Sequence, residues 1–269
     1  STLSLQLAVD IRLDSILYIS GEESMQQVEQ RLHRLRAGYA QEKIYFSNTT
    51  DLEQVKALIN EKQSSLVIID SLQTIYSQEV LGSVGSLNQQ KHVMAEIVSI
   101  AKENNVVVLV TAHINKDGQL SGPKTVEHLV DTVLQFEGER DGAIRLLRVL
   151  KNRYGSVGNV GVFKITSTGL ISHHVAIDSS QKDQGVANTV IREGNRLLIV
   201  QVQALVVKTS FAYPKRVVNG FSNSRVQQLL AVIQKYLNLD FSLYDVYVKT
   251  AEGFKVDSLE SDLAIVAAI

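Results

Sequence analysis

Two short, uninterrupted apolar runs place the strongest constraint on how this chain can fold. Leu66–Asp70 and Val106–Ala112 are too short for buried helices, and the first of them ends in a carboxylate. Runs of this kind are typical of parallel strands that are covered on both faces. Up to about residue 140 they alternate with stretches whose apolar residues recur at helical spacing. The alternation predicts an α/β fold with a doubly wound, mostly parallel sheet.

The pattern changes near residue 131, where strands begin to follow one another without helices between them. We expect these strands to be antiparallel additions to the edge of the parallel sheet. A polar stretch at 173–186 is the expected linker between two domains. The first predicted domain then covers 1–172, and a smaller α+β domain covers 187–269.

The composition limits which kinds of binding site the chain can contain and indicates where in the cell we expect it. The sequence contains no cysteine, which excludes disulfides and cysteine zinc sites within it. It has neither an apolar run of membrane-spanning length nor a charged-then-apolar leader, so we expect a cytoplasmic protein without a membrane partner. Because the net charge is −1, nucleic-acid binding must come from local patches. The stretch 195–239 has cations but no acidic residue, and it is either a solvated surface or one that faces phosphates.

The chain begins with Ser1 and Thr2 directly ahead of a predicted helix. A phosphate-binding loop has the pattern G-x-x-x-x-G-K-[S/T] and runs into a helix in the same way. A Ser-Thr pair is also an ordinary helix cap. Because suitable carboxylates follow downstream, we expect this pair to end a phosphate-binding loop and to bind nucleotide.

Three polar side chains follow predicted strands, at the places where open α/β sheets bind ligands. Asp70 ends its strand as a Walker B carboxylate does when it holds Mg²⁺, or else it only caps the strand. Glu22 can polarise the water that attacks a γ-phosphate, or it can complement the dipole of the next helix. His113 either senses the γ-phosphate or has a structural role.

Cations in two segments are further candidates for phosphate contacts. The segment 113–124 has the composition of a mobile loop, and its Lys116 and Lys124 either bind phosphates or are solvated. A second segment at the end of a predicted strand has the sequence Lys-Asn-Arg-Tyr-Gly. Its cations, Lys151 and Arg153, can reach a phosphate or the nucleotide of a neighbouring subunit, as an arginine finger does. Residue chemistry alone does not choose between these uses.

Several segments together resemble the bacterial RadA (Sms) recombination and repair family. Members of that family are RecA-type ATPases with a Lon-protease-like C-terminal domain. The matching segments extend over nearly the whole chain: Leu17–Ser24, Val67–Thr74, Gly122–Arg140, Lys151–Gly155, Gln203–Val206 and Thr209–Phe211. The resemblance implies that 1–172 is a RecA-like ATPase domain. It also implies that 187–269 is a Lon-protease-like domain, which we expect to be truncated and proteolytically inactive.

The resemblance also implies roles for individual residues. Ser1 would be the loop hydroxyl on Mg²⁺, Asp70 the Walker B acid, and Glu22 the catalytic carboxylate. Lys151 and Arg153 would couple DNA binding to hydrolysis across a hexameric ring. The implied cofactors are ATP and Mg²⁺.

The implied DNA contacts lie in two places. The 113–124 loop matches a DNA-contacting loop of RecA-like rings, which makes Lys116 and Lys124 candidates. Lys215 and Arg216, in the basic stretch, are the others. The implied activity is ATP-driven movement on single-stranded DNA that promotes branch migration. The implied partners are single-stranded and branched DNA, other copies in a homo-hexamer, and a RecA-type recombinase.

The sequence departs from the family pattern in its missing N-terminal features. The four-cysteine zinc module is absent, so zinc is expected only if the full protein has that module. The loop glycines and lysine are absent too, so this sequence by itself is expected to bind nucleotide weakly. We therefore expect a fragment of a longer protein.

Two alternative functions stay open. The first is an ATP-dependent, Lon-like serine protease, which needs a serine activated by a lysine. Its nucleophile position falls near Glu260, with Ser258 and Ser261 beside it. The second is a nucleotide-independent DNA-binding ring, for which DNA binding would not respond to ATP.

Overall fold

Strands and helices alternate along the first part of the chain, as the sequence predicts. The computed structural model describes residues 1–35, 44–113, 125–138, 142–173, 183–251, 254–256 and 258–269. Its first elements are α1 (Thr2–Asp10), β1 (Ile16–Ser20), α2 (Met25–Leu35), β2 (Ile44–Ser47), α3 (Leu52–Lys62), β3 (Leu66–Asp70), a 3-10 helix (Leu72–Thr74), α4 (Leu87–Glu103), β4 (Val107–Val110) and α5 (Thr125–Leu129).

The first four strands form one parallel sheet in the order β2-β1-β3-β4. Every residue of β1 and of β3 is buried. Uninterrupted apolar strands are expected at the centre of a parallel sheet, because helices cover both of its faces. The predicted α/β class is confirmed for this part of the chain.

Alternate residues of β1 and β3 pack against different helices, because successive side chains of a strand point to opposite faces. One cluster joins these strands to α3 and α4 through Leu17, Ile19, Val67, Ile69, Val55, Ile59, Val93 and Ile97. The other joins them to α1 and α2 through Ile16, Tyr18, Leu66, Ile68, Leu5, Ala8, Val9 and Val28. The sheet is therefore doubly wound.

Helix α3 is capped by a carboxylate. Asp51 is the N-cap residue, and its carboxylate accepts hydrogen bonds from the amides of Glu53 and Gln54. A carboxylate at this position satisfies two donors of the first turn and also complements the helix dipole.

Strands predominate in the rest of the chain. The elements are β5 (Thr132–Glu137), β6 (Ile144–Asn152), β7 (Val160–Thr166), β8 (Gly169–Ser172), β9 (Val186–Glu193), β10 (Arg196–Lys208), β11 (Arg216–Asn219), α6 (Asn223–Leu237), β12 (Tyr244–Thr250), a 3-10 helix (Leu259–Ser261) and α7 (Asp262–Ala268). They form two sheets, of order β5-β6-β7-β8 and β11-β12-β10-β9. No helix within the described ranges has both the length and the apolar character needed to cross a membrane.

The chain divides into two compact units, and the division differs from the predicted domains. The first unit comprises 1–133 and 166–170, and the second comprises 134–165 and 171–269. The strands that follow residue 131 form a sheet of their own, so the prediction that they extend the parallel sheet is wrong. The physical reason is packing, since Ile144 and Val162 are buried in one cluster with Val200, Val202 and residues of α6 and α7.

The predicted linker and second domain are only partly covered by these observations. Of the linker, residues 174–182 lie outside the described part of the chain. The division into compact units falls before the linker rather than at it. The Lon-like character of 187–269 stays a prediction.

Candidate nucleotide-binding site

Three parallel strands end side by side, and the residues that follow them form the candidate site. Ser20 at the end of β1 is paired with Asp70 at the end of β3. The Gly21 amide donates a hydrogen bond to the Asp70 carbonyl at 2.8 Å, and the Thr111 amide donates to the Ile69 carbonyl at 2.9 Å. These contacts bring the segments after β1, β3 and β4 to the edge where open α/β sheets bind ligands.

The Asp70 carboxylate is buried and accepts two hydrogen bonds. Thr111 donates to its Oδ1 at 2.6 Å, and the Tyr18 hydroxyl donates to its Oδ2 at 3.0 Å. The backbone nitrogen of Ser1 lies 3.8 Å from Oδ2. Burial acts to raise the pKa of Asp70, whereas the hydrogen bonds from Thr111 and Tyr18 act to lower it, and the pKa lies below its ordinary value. Asp70 is therefore ionised at neutral pH.

A buried tyrosine links this carboxylate to helix α1. Burial raises the pKa of Tyr18, which keeps its hydroxyl protonated and able to donate to Asp70. That hydroxyl lies 3.3 Å from Ser4 Oγ, which in turn donates to the Ser1 carbonyl at 2.8 Å. The N-terminus of α1 is thus tied to the carboxyl end of β3.

Local sequence holds Glu22 in a turn rather than inside a helix. Ser24 and Gln27 exchange backbone-to-side-chain hydrogen bonds as a capping box, so α2 begins only at Met25. Gly21 allows the turn to pass close to Thr74, because a Cβ on Gly21 would lie 2.0 Å from the Thr74 hydroxyl oxygen. Glu22 therefore stays at the end of β1.

Two side chains from neighbouring strand ends contact the Glu22 carboxylate. Ser71 Oγ donates to Glu22 Oε1 at 2.5 Å, and His113 Nε2 lies 2.7 Å from the same oxygen. The backbone of His113 is hydrogen-bonded to the side-chain amide of Gln73 through both its N–H and its C=O, at 3.4 Å each. The predicted site residues Glu22, Asp70 and His113 are thus brought together.

Thr2 and Ser1 lie at the first turn of α1, beside an ion pair. Arg31 pairs with Glu23 and donates to the Thr2 hydroxyl at 3.3 Å. The N-terminus of a helix attracts phosphate because its free amides and its dipole favour negative charge. The predicted nucleotide-binding pair therefore lies next to the carboxylates.

Mg²⁺ fits the donors at this edge when a nucleotide supplies the remaining ligands. Asp70 offers an ionised carboxylate, and Ser1, the N-cap residue of α1, offers a hydroxyl, both of them hard oxygen donors. The described part of the chain has no cluster of three or more His, Asp or Glu side chains that would hold a metal without a nucleotide. The two donors match the usual protein share of a nucleotide-bound Mg²⁺.

Comparisons with known proteins indicate the family of this chain. The sequence profile of the AAA domain family matches residues 1–119. The DNA repair proteins RadA of Bacillus subtilis and Streptococcus pneumoniae are 38% and 39% identical, over all of this chain and over 60% and 65% of their own lengths. RadA of Rickettsia conorii is 40% identical over all of this chain and 62% of its own length. This chain belongs to the bacterial RadA family. Its first unit is an α/β core of the RecA-like ATPase type.

The match to these RadA proteins is partial on their side. This chain spans about three fifths of the length of the curated relatives it matches. Among solved structures, a KaiC-like protein from Pyrococcus horikoshii OT3 is 17% identical with a TM-score of 0.48, and the match covers 63% of this chain and 80% of that one.

The RadA-like segment Lys151–Gly155 lies in the second unit, where β6 ends at Asn152. The Asn152 side chain accepts a hydrogen bond from the Tyr154 amide at 3.2 Å, which shapes the turn that follows. Arg153 is exposed and Lys151 is half-buried. Lys116 and Lys124 lie outside the described residues.

Lys215 and Arg216, the other predicted DNA contacts, have different surroundings. The Arg216 guanidinium donates to the carbonyls of Phe241 at 2.9 Å and Tyr244 at 2.6 Å, so it holds the turn before β12. Lys215 is exposed, and its Nζ lies 3.5 Å from the centre of the Phe211 ring. Of Lys215 and Arg216, Lys215 is the one that combines exposure with an adjacent aromatic ring.

The segment in which a Lon-like protease would have its nucleophile forms the 3-10 helix before α7. Ser261 is fully buried, and its hydroxyl donates to the Ser258 carbonyl at 2.8 Å. The Glu260 carbonyl accepts a hydrogen bond from Thr189 at 3.0 Å. In this conformation the Ser261 hydroxyl is inaccessible to a substrate.

Sequence reasoning missed four residues of the site: Tyr18, Ser71, Thr111 and Arg31. Tyr18, Ser71 and Thr111 lie in or just after apolar strand segments, so the sequence pattern assigns them to the strands and not to the site. A usable signal was present, since Ser71 and Thr111 stand where parallel strands end. Arg31 left no comparable signal, because its contacts cross from α2 to α1.

Proposed function

We propose that this chain is the ATP-hydrolysing and DNA-engaging part of a DNA repair motor. The meeting of Glu22, Asp70 and the N-terminus of α1 at one edge of the parallel sheet carries the proposal. A carboxylate that holds Mg²⁺ and a second that activates water are the acidic groups that nucleotide hydrolysis requires.

Each residue has a separate role in this proposal. Asp70 and the Ser1 hydroxyl would hold Mg²⁺, which would supply positive charge to the phosphates. Glu22 takes a proton from the attacking water. Its carboxylate is about one-third exposed, which leaves it accessible to a water molecule. Thr2 and the amides at the start of α1 face the phosphates.

DNA binding in the proposal uses the second unit. Lys215 lies over Phe211, and Tyr213 nearby is 85% exposed. Aromatic rings on which bases stack, together with cations for the backbone, are typical of single-stranded DNA binding. Lys151 and Arg153 couple this binding to hydrolysis. The relatives are named as DNA repair proteins, which supports a role in DNA repair. Movement on single-stranded DNA, branch migration, hexamer formation and a RecA-type partner are further parts of the proposal, and they rest on the resemblance alone.

The test is DNA-stimulated ATP hydrolysis by a chain that carries a phosphate-binding loop directly ahead of Ser1. Glu22→Gln is expected to lower kcat by about 100- to 10,000-fold, the contribution typical of a general base. Lys151→Ala is expected to remove the stimulation by single-stranded DNA while basal turnover persists. Unchanged turnover in Glu22→Gln would refute the catalytic role.

Assays of DNA binding and of proteolysis with the same chain separate the two alternative functions. DNA binding that is indifferent to ATP, with no hydrolysis, would indicate a nucleotide-independent ring. Cleavage of an unfolded protein that depends on ATP would indicate a protease, against which the buried hydroxyl of Ser261 argues.

A further inference from the structure

Both donors that contact Glu22 converge on one oxygen of its carboxylate. Ser71 Oγ and His113 Nε2 lie 2.5 Å and 2.7 Å from Oε1, and neither bond uses Oε2. An ionised carboxylate only accepts hydrogen bonds, so both partners donate. Because both donors bind Oε1, the two oxygens of this otherwise symmetric carboxylate have different surroundings.

The two donors are themselves fixed by the ends of the strands. Ser71 follows the last residue of β3 and is fully buried. His113 is more exposed, but both backbone groups of this residue are hydrogen-bonded to the Gln73 side chain. Neither donor can shift far without disturbing the edge of the sheet.

We propose that Ser71 and His113 are positioning residues that fix the rotation of the Glu22 carboxylate and reserve Oε2 for the proton of the attacking water. The inference rests on the proposed ATP hydrolysis. In that step a water O–H bond breaks and its proton goes to Oε2. The water oxygen bonds to the γ-phosphorus, and the bond from that phosphorus to the ADP oxygen breaks. Because the two donors already hold Oε1, the carboxylate has its reactive orientation before the water attacks, and no further entropy is lost in orienting it.

The test measures kcat and KM for ATP with the chain that carries the phosphate-binding loop. Ser71→Ala and His113→Ala each remove one donor, and each is expected to lower kcat about ten- to a hundredfold, as for a hydrogen bond to a charged group. KM is expected to stay within about threefold, because Glu22 contacts the water rather than the phosphates. His113→Gln is expected to recover most of kcat, because its terminal amide can reach where Nε2 donates.

Matched controls are available at positions away from the site. Ser64 is also buried, and its hydroxyl lies 3.0 Å from that of Ser15, at the opposite edge of the sheet. His33 is 72% exposed on α2. Ser64→Ala and His33→Ala are expected to leave kcat and KM unchanged.

The outcomes distinguish this inference from the function on which it rests. If Glu22→Gln abolishes turnover while Ser71→Ala and His113→Ala leave kcat unchanged, the positioning role alone is wrong. An increase in KM at constant kcat, or no recovery in His113→Gln, also overturns it, because either result points to a different role. If Glu22→Gln has no effect, the proposed function fails and the positioning role fails with it.

Discussion

Replacing Tyr18 by phenylalanine tests how the site is built into the core of the first unit. The side chain is fully buried, and its hydroxyl donates to Asp70 Oδ2 at 3.0 Å. Tyr18→Phe keeps the ring, so packing changes little, but a buried charged oxygen loses a donor. A hydrogen bond to a charged group contributes about 1.5–3 kcal/mol, and the Thr111 donor remains. We therefore expect the first unit to lose about 2 kcal/mol of unfolding free energy at pH 7.

The pH dependence of this loss follows from the Asp70 pKa. Because the folded pKa is lowered, the stabilisation by Asp70 is fully present above the unfolded pKa of about 3.9 and disappears as pH falls through the folded value. The hydroxyl of Tyr18 stabilises the charged form. The difference between wild type and Tyr18→Phe is therefore expected to shrink as Asp70 becomes protonated.

Urea unfolding followed by circular dichroism measures both effects. Tyr236→Phe is the matched control, since it also removes one tyrosine hydroxyl but from a side chain that is 71% exposed. We expect the control to stay within about 0.5 kcal/mol of wild type. A Tyr18→Phe variant as stable as Tyr236→Phe, or a loss that does not change with pH, would refute the role given to this hydrogen bond.

Two further substitutions test local features of the first unit. Asp51→Ala is expected to cost about 1 kcal/mol of unfolding free energy because it removes the N-cap of α3, and Asp51→Asn should retain most of that stability in urea unfolding. Equal losses in both variants would contradict the capping role. Gly21→Ala places a Cβ 2.0 Å from the Thr74 hydroxyl oxygen, so we expect a loss of about 1–3 kcal/mol in the same assay and a lower kcat as Glu22 is displaced. Wild-type stability and turnover would show that the turn adapts.

The predictions that the structure confirms depended on short sequence patterns that a single type of local structure explains. The run Leu66–Asp70 is a buried strand with the predicted bounds, because only a strand covered on both faces keeps five residues buried in a row. Glu22, Asp70 and His113 stand at or just after the ends of predicted strands, and parallel strands end at one edge of the sheet, so the sequence predicts that they lie close together. Their catalytic roles stay predictions.

The predictions that failed depended on partners distant in sequence. Strands after residue 131 follow one another without helices between them, but that order does not say which sheet they join. The choice was made by packing, since Ile144 and Val162 bury against Val200 and Val202. The compact units divide ahead of the expected linker. The predicted domain boundaries stay a prediction.

The sequence by itself determined a parallel α/β core and the strand ends at which polar chemistry appears, because apolar runs and helical spacing are local properties of the chain. Only the tertiary structure decided which groups meet there. Tyr18 contacts a carboxylate 52 residues away, and His113 contacts one 91 residues away. Such contacts depend on strand register and on which face each side chain takes, and these are settled only when the helices cover the sheet.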